Sequence, residues 1–388
     1  MLPRATRRLA LFSLAAFLIL GGAGAGLALQ EAPYAKTREA LLAHTHRFVS
    51  GGATLEVRPA QLRPLLRVDG DRLSIDVAQL EGLLAPRFAD RPARDASLQI
   101  VGSRVVIEPG ASARVLDARA TAAALLRQPE SRTQPVRFRW IAPEATTAEL
   151  EALRIRKLVS EFTTYYPAGE PRVVNIKRAA DALDGRILPT GATFSMNQAL
   201  GERTLTKGYV PAPTIAGDRI VDSVGGGISQ VATTLYNAAF FAGLELVAHT
   251  PHSLYIDRYP MGREATISWG GPELVFRNDW NAAVLLKVVA TDTSITVRFY
   301  SSELGRRVET TTGMAYKWMA PVTREVPDST LAPGARVVVQ EPGASGFTVD
   351  YTRKVFAHDR LVRDERFTTR YDAKDGIVHV GVPVLDQR

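Results

Sequence analysis

The sequence contains no cysteine. This absence excludes disulfide bonds, thiolate metal sites, iron–sulfur clusters and a cysteine nucleophile. It leaves the compartment open, because a chain of 388 residues is long enough to bury a stable core without disulfides, even outside the cytoplasm.

A strong excess of charge of one sign is also lacking. The 48 basic and 40 acidic residues give a formal net charge of +8. Three of the arginines lie within the first 30 residues, which leaves about +5 for the remainder. Such a small excess is not the electrostatic footprint of a nucleic-acid-binding protein, so no nucleic-acid partner is predicted. The hydrophobic and charged fractions of 46% and 23% are typical of a globular protein and exclude a polytopic membrane protein.

A long apolar run is found near the start of the chain, from Leu9 to Leu29, and three arginines precede it. About 20 apolar residues are needed to span a bilayer, and the basic flank stays in the cytoplasm. Residues 1–30 are therefore predicted to be a signal-anchor, with a single membrane span at the cell membrane and the remainder extracytoplasmic. The small residues Ala23, Gly24 and Ala25 leave cleavage by signal peptidase open, in which case the protein is secreted.

The segment after the leader is predicted to be a small α+β domain at residues 40–140. Strand-like runs at 54–57 and 73–77 are each followed by leucines at the spacing of a helix start. Two further strand-like runs at 97–101 and 104–108 flank Gly-Ser and predict a hairpin.

The predicted fold class for the whole chain is α+β with several domains. A proline-containing linker at 128–147 and a helix at 148–162 are predicted to lead into a central mixed α+β domain at 148–300. Residues 305–388 are mostly strand-like with Pro-Gly turns and are predicted to form a C-terminal all-β module.

The strongest chemical signal is the run Gly225-Gly226-Gly227, which precedes a predicted helix. Ser229 then lies at or beside the helix N-cap, where free backbone N–H groups and the helix dipole stabilise an anion or a developing oxyanion. The three glycines and Gln230 are candidate substrate-binding residues. A serine that only caps the helix is the structural alternative. A nucleotide loop is disfavoured, because the characteristic lysine is missing.

Two of the chain's six histidines, His249 and His252, follow about 20 residues later. A serine hydroxyl needs a neighbouring base to become nucleophilic, and either imidazole is a candidate for that base. Each is equally interpretable as a hydrogen-bonded loop residue. The pair lacks a third metal ligand nearby in sequence, so neither a metal nor any other cofactor is predicted.

Three arginines near these residues, Arg203, Arg258 and Arg263, are candidates for binding carboxylates, because a guanidinium binds a carboxylate bidentately. Each could instead form a surface ion pair. Glu202 and Asp222 are carboxylates of the type that glycosidases pair, but only their residue type favours glycan hydrolysis.

The central region resembles the VanW family of bacterial proteins over about residues 158–285. The resemblance is carried by ordered motifs: Phe162 to Tyr165, Arg172 to Ala180, Leu188 to Ser195, Gly201 to Arg203, Lys207 to Tyr209, Gly225 to Ile228, Thr233 to Ala238, His252-Ser253 and Gly262 to Thr266. Residues 72–128 resemble the YoaR-like peptidoglycan-binding domain that often precedes VanW. The tail around 340–347 is similar, more weakly, to a small glycine-containing β-module of wall proteins.

The resemblance implies an exported protein whose partners are the stem peptides and glycan of peptidoglycan. Some family members are associated with L,D-transpeptidase-type cross-linking and carry cysteine at the position of Ser229. In the first hypothesis this chain is an acyl-transfer enzyme, with Ser229 as nucleophile, His252 or His249 as base and Arg263 on a carboxylate. In the second it is a non-catalytic binding or scaffold protein. An imidazole nitrogen within hydrogen-bond reach of the Ser229 hydroxyl favours the first, and a hydroxyl used for capping favours the second.

Overall fold

The computed structural model describes residues 34–216, 219–302 and 306–382. The predicted signal-anchor, residues 1–30, lies outside these ranges and stays a prediction. Within them, no helix combines the length and the hydropathy required to span a bilayer.

Helices and strands alternate through the first two thirds of the chain, and strands dominate the last third. The helices of the described residues are α1 (Ala35–Leu42), α2 (Pro59–Leu62), α3 (Val77–Leu84), α4 (Ala118–Arg127), α5 (Thr147–Ala152), α6 (Arg172–Leu183), α7 (Met196–Leu200) and α8 (Ile228–Phe241). The strands are β1 (His46–Ser50), β2 (Ala53–Val57), β3 (Leu66–Asp69), β4 (Arg72–Ile75), β5 (Ser97–Val101), β6 (Arg104–Glu108), β7 (Ala113–Leu116), β8 (Thr133–Pro135), β9 (Phe138–Ile141), β10 (Lys157–Tyr165), β11 (Ile187–Leu188), β12 (Thr193–Ser195), β13 (Pro211–Ala216), β14 (Arg219–Val224), β15 (Glu245–Ala248), β16 (Val275–Arg277), β17 (Val284–Ala290), β18 (Ser294–Ser301), β19 (Arg306–Thr312), β20 (Tyr316–Met319), β21 (Thr323–Asp328), β22 (Arg336–Gln340), β23 (Gly346–Ala357), β24 (Arg360–Tyr371) and β25 (Gly376–Gly381). The predicted mixed α+β class and strand-rich C-terminal region are confirmed.

The first compact unit comprises the described residues up to 92 together with 114–140. Its main sheet has the strand order β2-β1-β8. The two predicted strand-plus-helix pairs are present, since β2 leads into α2 and β4 leads into α3. Asp76 caps α3 by accepting a hydrogen bond from the N–H of Gln79, as expected of an aspartate N-cap. Phe48, Leu80 and Leu125 are fully buried in its core.

Two expectations about the first domain need correction. The hairpin of β5 and β6 forms as predicted, but it belongs to the second compact unit, where Arg104 pairs with Lys157 of β10. The predicted linker at 128–147 contains β8 and β9, and β8 pairs in parallel with β1. Pro135 ends this short edge strand, where a missing N–H is tolerated, and the boundary between the two compact units falls at residues 140–141, within the predicted linker.

The second compact unit, residues 93–113 and 141 onward, is built on a six-stranded sheet. Its strand order is β11-β17-β18-β10-β6-β5. Helices α6 and α8 contact this sheet and each other. In α8 the side chains of 228 and 230–240 are buried, so this helix is the centre of the core. The buried side chains include Gln230, Thr233, Thr234 and Asn237, whose polar groups must be hydrogen-bonded within the protein.

The predicted helix at 148–162 is wrong beyond its first third. Helix α5 ends at Ala152, and Arg154 has a positive φ of 59°. Residues from Lys157 onward form β10, which pairs antiparallel with β18 along its whole length. The β-branched and aromatic residues of this stretch, including Phe162 and Thr163, favour a strand once a partner strand is available.

The C-terminal region contains two sheets. One pairs β23 with β19, β20 and β24, and the other has the order β21-β25-β22. These residues belong to the same compact unit as the central region. Arg353 of β23 is fully buried and donates hydrogen bonds to the carbonyls of Phe240 and Leu244 at the C-terminal end of α8. The strands are therefore attached to the helix that carries the candidate site.

Candidate functional site

The glycine run makes a tight turn between β14 and α8. Gly227 is the N-cap of the helix, with φ 94° and ψ −12°, a left-handed conformation that glycine adopts without strain. A Cβ on Gly226 would lie 2.1 Å from the carbonyl oxygen of Ala212. Asn175 fixes the turn from α6 by donating a hydrogen bond to the carbonyl of Gly226 at 2.9 Å. The turn therefore requires glycine for packing as well as for conformation.

Ser229 is the second residue of α8 rather than its N-cap, and its hydroxyl is not used for capping. The Oγ atom accepts one long hydrogen bond from the backbone N–H of Ile267, at 3.5 Å, the outer limit for such a bond. The side chain is half-buried and faces an open cavity. The hydroxyl is thus weakly engaged and accessible.

An extended segment, residues 263–267, runs along α8 and is held by a polar ladder. Ser229, Thr233 and Asn237 are spaced four residues apart on the helix, which is about 6 Å per step, and two residues of extended chain advance about 6.6 Å. The hydrogen bonds of the ladder follow this match: Asn237 Nδ2 to the carbonyl of Arg263 at 2.9 Å, Thr233 Oγ1 to the carbonyl of Ala265 at 3.0 Å, Ala265 N–H to Thr233 Oγ1 at 3.1 Å, and Ile267 N–H to Ser229 Oγ at 3.5 Å.

The cavity at the start of α8 has a volume of about 460 Å³. Its walls come from the glycine turn, the β13–β14 hairpin, the loop 252–259 and the segment 266–272. Trp269 lies at its mouth and is 54% exposed. This size falls in the ordinary range for a small-molecule or peptide-end site.

Three arginines line this cavity: Arg172, Arg203 and Arg258. Arg172 donates to the side-chain oxygen of Gln230 at 2.9 Å. Arg203 donates to Asn197 Oδ1 at 2.7 Å and to the carbonyl of Gly201 at 3.0 Å.

None of the three forms a salt bridge with a carboxylate of the described residues. Burial lowers the pKa of Arg203, but a guanidinium stays charged in proteins. Glu202 is the acidic residue among the described lining residues, so the cavity has an excess of positive charge.

His252 lines the same cavity and is only 7% exposed. Its Nδ1 lies 2.6 Å from Oε2 of Glu264, which is fully buried. A carboxylate only accepts hydrogen bonds, so the proton is on Nδ1, which leaves Nε2 as the acceptor nitrogen. Tyr259 stacks on the imidazole with ring centroids 5.7 Å apart, and burial raises the pKa of Tyr259 to about 12. This arrangement of an imidazole oriented by a carboxylate is the one that general bases use.

The structure brings together Ser229, His252, Arg203, Arg258, Gly225, Gly227 and Gln230, all of which line the cavity. No hydrogen bond joins Ser229 to His252 in the described structure. Gln230 has no free amide group, because its nitrogen donates to Thr164 and to the carbonyl of Tyr165 and its oxygen accepts from Arg172. Gln230 therefore orients Arg172 instead of contacting a ligand directly.

His249 does not reach the cavity, which corrects its role as an alternative base. Its ring stacks on Tyr236 with centroids 4.3 Å apart, and Tyr236 is seven residues along α8 from Ser229, about 10 Å away by helical rise. Burial lowers the pKa of His249 to about 4. It is a structural histidine at the contact between α8 and the C-terminal strands.

Arg263 and Gly226 also differ from their predicted substrate-binding roles. Arg263 lies at the far end of the polar ladder, where its guanidinium donates to Asn237 Oδ1 at 3.2 Å and lies over the rings of Phe240 and Phe241. Gly226 packs against the β13–β14 hairpin and does not line the cavity. The register of the extended segment explains the first difference, since residue 263 is four residues away from the position that meets Ser229.

The two carboxylates considered for glycan hydrolysis, Glu202 and Asp222, do not line the same cavity. Glu202 is exposed at the cavity wall, whereas Asp222 is exposed on β14 and does not line the cavity. The geometry gives no support to a paired-carboxylate site.

Three residues of the site were missed by reasoning from the sequence: Arg172, Glu264 and Tyr371. Glu264 carries a weak sequence signal, because an acidic residue in a buried apolar context needs a partner. Tyr371 donates to Glu264 Oε1 at 2.9 Å from a position 107 residues away, and nothing in the local sequence indicates this contact.

Residues 171–300 match the protein family described as VanW like protein. The chain is similar to the uncharacterized protein YoaR of Bacillus subtilis, with 36% identity over 42% of this chain and 54% of that protein. It is also similar to the vancomycin B-type resistance protein VanW of Enterococcus faecalis, with 27% identity over 32% of this chain and 48% of that protein. The chain thus spans about half the length of these relatives. Among solved structures, an IgA1 protease G5 domain has 22% identity and a TM-score of 0.14 and covers 20% of this chain and 89% of that one.

Proposed function

We propose that this chain is an exported cell-wall protein. The premise is that residues 171–300 form a VanW-family domain and that the chain is homologous to YoaR and VanW. Its cavity at the start of α8 binds the carboxylate-bearing end of a peptidoglycan stem peptide. The leader, residues 1–30, anchors the chain in the membrane or is cleaved. The YoaR-like region and the C-terminal strands hold the neighbouring glycan.

The observation that carries the proposal is the set of cavity arginines without carboxylate partners. Arg172 and Arg203 both donate to neutral acceptors, and neither is in salt-bridge contact with a carboxylate of the described residues, although Glu273 and Glu202 act on Arg203 electrostatically. Arg258 adds a third, exposed guanidinium. Guanidinium groups arranged in this way bind a carboxylate through charge-assisted hydrogen bonds, and the start of α8 contributes its positive dipole.

Binding is tested with the full chain and the peptide acetyl-lysyl-D-alanyl-D-alanine by isothermal titration. The free acid is expected to bind, and its C-terminal amide is expected to bind at least tenfold more weakly. Arg203→Gln removes a charged hydrogen-bond donor worth about 1.5–3 kcal/mol, which corresponds to roughly 10-fold to 100-fold in Kd.

The matched control for Arg203→Gln is Arg360→Gln, an exposed arginine on β24, which should bind like the unmodified protein. Equal binding of acid and amide, or an unchanged Kd for Arg203→Gln, would contradict the proposed site.

Acyl transfer at the same cavity is a second candidate, favoured by the His252–Glu264 pair. Ser229 Oγ would attack the carbonyl carbon of the stem peptide as His252 Nε2 takes its proton. The proton then passes to the departing D-alanine amine, and a second amine resolves the ester. In the resting structure Ser229 accepts from Ile267, so attack requires the hydroxyl to turn toward His252.

Mass spectrometry of the protein incubated with the same peptide and a D-amino acid acceptor separates the two candidates. Acyl transfer predicts an ester on Ser229 that is lost in Ser229→Ala and formed at least about 100-fold more slowly in His252→Gln. Peptide binding without any adduct or exchanged product leaves the protein as a non-catalytic binder. If Ser229→Cys gains turnover while Ser229→Ala changes nothing, the natural chain is a binder on a scaffold suited to catalysis.

A further inference from the structure

Glu264, which orients His252, is itself held by the C-terminal strands. Tyr371, the last residue of β24, is fully buried. Its hydroxyl donates to Glu264 Oε1 at 2.9 Å and accepts the N–H of Gly262 at 2.8 Å. Because His252 occupies Oε2, both oxygens of this buried carboxylate are hydrogen-bonded, each from a different part of the chain.

A second contact ties the same strand end to the loop that carries His252. The N–H of Asp372 donates to the carbonyl of Ser253 at 2.7 Å, and Leu254 forms a parallel bridge with Asp372. Residues 371–372 thus hold the histidine loop through the backbone and the glutamate through a side chain. Both contacts therefore act on the same imidazole, which packing of the strands against the rest of the unit does not by itself require.

The physical consequence is that the orientation of the imidazole depends on the C-terminal strands. A buried carboxylate needs donors for its lone pairs, and two donors in fixed positions also fix the plane of the group. Burial and the nearby Glu264 carboxylate raise the pKa of Tyr371 well above its usual value, so its hydroxyl remains a donor at any physiological pH. The carboxylate plane in turn fixes the orientation of the His252 imidazole.

We propose that Tyr371 is a positioning residue for His252, so that the C-terminal strands fix the orientation of an imidazole that lines the cavity. This inference rests on the proposed function in one respect, because it takes the cavity at the start of α8 to be the functional site. It assigns to the C-terminal region a role in the site itself, in addition to any wall contact.

The test uses the full chain with ¹⁵N-labelled histidine and observes the Hδ1 resonance of His252 by NMR. A proton in a 2.6 Å bond to a buried carboxylate should resonate far downfield and exchange slowly. Tyr371→Phe keeps the ring but removes the donor to Oε1, which frees the carboxylate to rotate. The Hδ1 signal is expected to shift upfield or to be lost by exchange.

Tyr351→Phe is the matched control. Tyr351 is also a buried tyrosine of the C-terminal strands, but its hydroxyl bonds Tyr236 and lies near His249 rather than Glu264. It should leave the His252 signal unchanged. An unchanged signal in Tyr371→Phe would overturn the proposal, as would an equal change in both variants, which would indicate general loosening.

One measurement on the unmodified protein keeps the proposal testable if Tyr371→Phe fails to fold. The phenolic proton of Tyr371 and Hδ1 of His252 both point to one carboxylate, so a nuclear Overhauser effect between them is expected, and its absence from two observed resonances would overturn the proposal. Neither readout uses the peptide ligand. Failure of peptide binding with these signals intact would therefore refute the proposed function alone.

Discussion

Replacing Thr233 with valine tests whether the polar ladder holds the extended segment 263–267 on α8. Valine has nearly the shape of threonine, so packing in this fully buried position is preserved and only the hydroxyl is lost. That hydroxyl donates to the carbonyl of Ala265 at 3.0 Å and accepts its N–H at 3.1 Å. Both backbone groups of Ala265, itself fully buried, would be left without these partners.

The magnitude follows from the cost of unpaired buried polar groups. Each such group costs about 1–3 kcal/mol, and partial relaxation of the segment brings the pair to about 2–4 kcal/mol. Because 1.4 kcal/mol is a factor of ten, amide hydrogens that exchange through local opening of the segment should exchange roughly 30-fold to 1000-fold faster. The effect is local, since the segment can detach without unfolding α8.

Hydrogen exchange measured by mass spectrometry on the peptide covering 263–267 is the assay. Thr311→Val is the control, because Thr311 is an exposed threonine of β19 whose replacement should change stability by less than about 0.5 kcal/mol. Exchange of the segment in Thr233→Val within about twofold of the unmodified protein would refute the ladder as the element that positions Glu264.

Three further predictions concern residues around the site. Burial lowers the pKa of His249 to about 4 in the folded chain, against about 6.5 for an unfolded histidine, so the unfolded state binds the extra proton and stability falls by up to about 3 kcal/mol from pH 6.5 to 4. The urea midpoints of His249→Phe should lose this contribution to the pH dependence, and an unchanged pH dependence contradicts it. Gly226→Ala places a Cβ 2.1 Å from a carbonyl oxygen and should destabilise the protein by at least about 2 kcal/mol. The control Gly82→Ala, where a Cβ meets open space, should be neutral or stabilising. Similar shifts in melting temperature for the two variants would contradict this prediction. Arg353→Met leaves Glu365 and the carbonyls of Phe240 and Leu244 without their hydrogen-bond donor and should cost about 3–5 kcal/mol. The loss should be seen as faster exchange at the C-terminal end of α8, and unchanged protection there would argue against it.

Much of the local structure was predictable from the sequence because it depends on near neighbours. The strand-plus-helix pairs before residue 85 and the glycine turn before α8 follow from spacing and from the conformational freedom of glycine. The cavity at the start of α8 was found through the same signal. The helix predicted at 148–162 failed because the pairing of β10 with β18 outweighs local propensity, and no window of sequence contains that partner.

The sequence by itself determined the glycine turn before α8, the strand-plus-helix pairs of the first unit and the presence of a serine, two histidines and several arginines close to that turn along the chain, since these features depend on near neighbours and local dihedral preferences. Only the tertiary structure decided which of them meet. The match between the rise of α8 and that of segment 263–267 placed Arg263 away from the cavity and Glu264 beside His252. Tyr371, which is 107 positions further along the chain, then donates a hydrogen bond to Glu264. Contacts of this range arise from the packing of a whole compact unit, and that packing has no counterpart in the spacing of nearby residues.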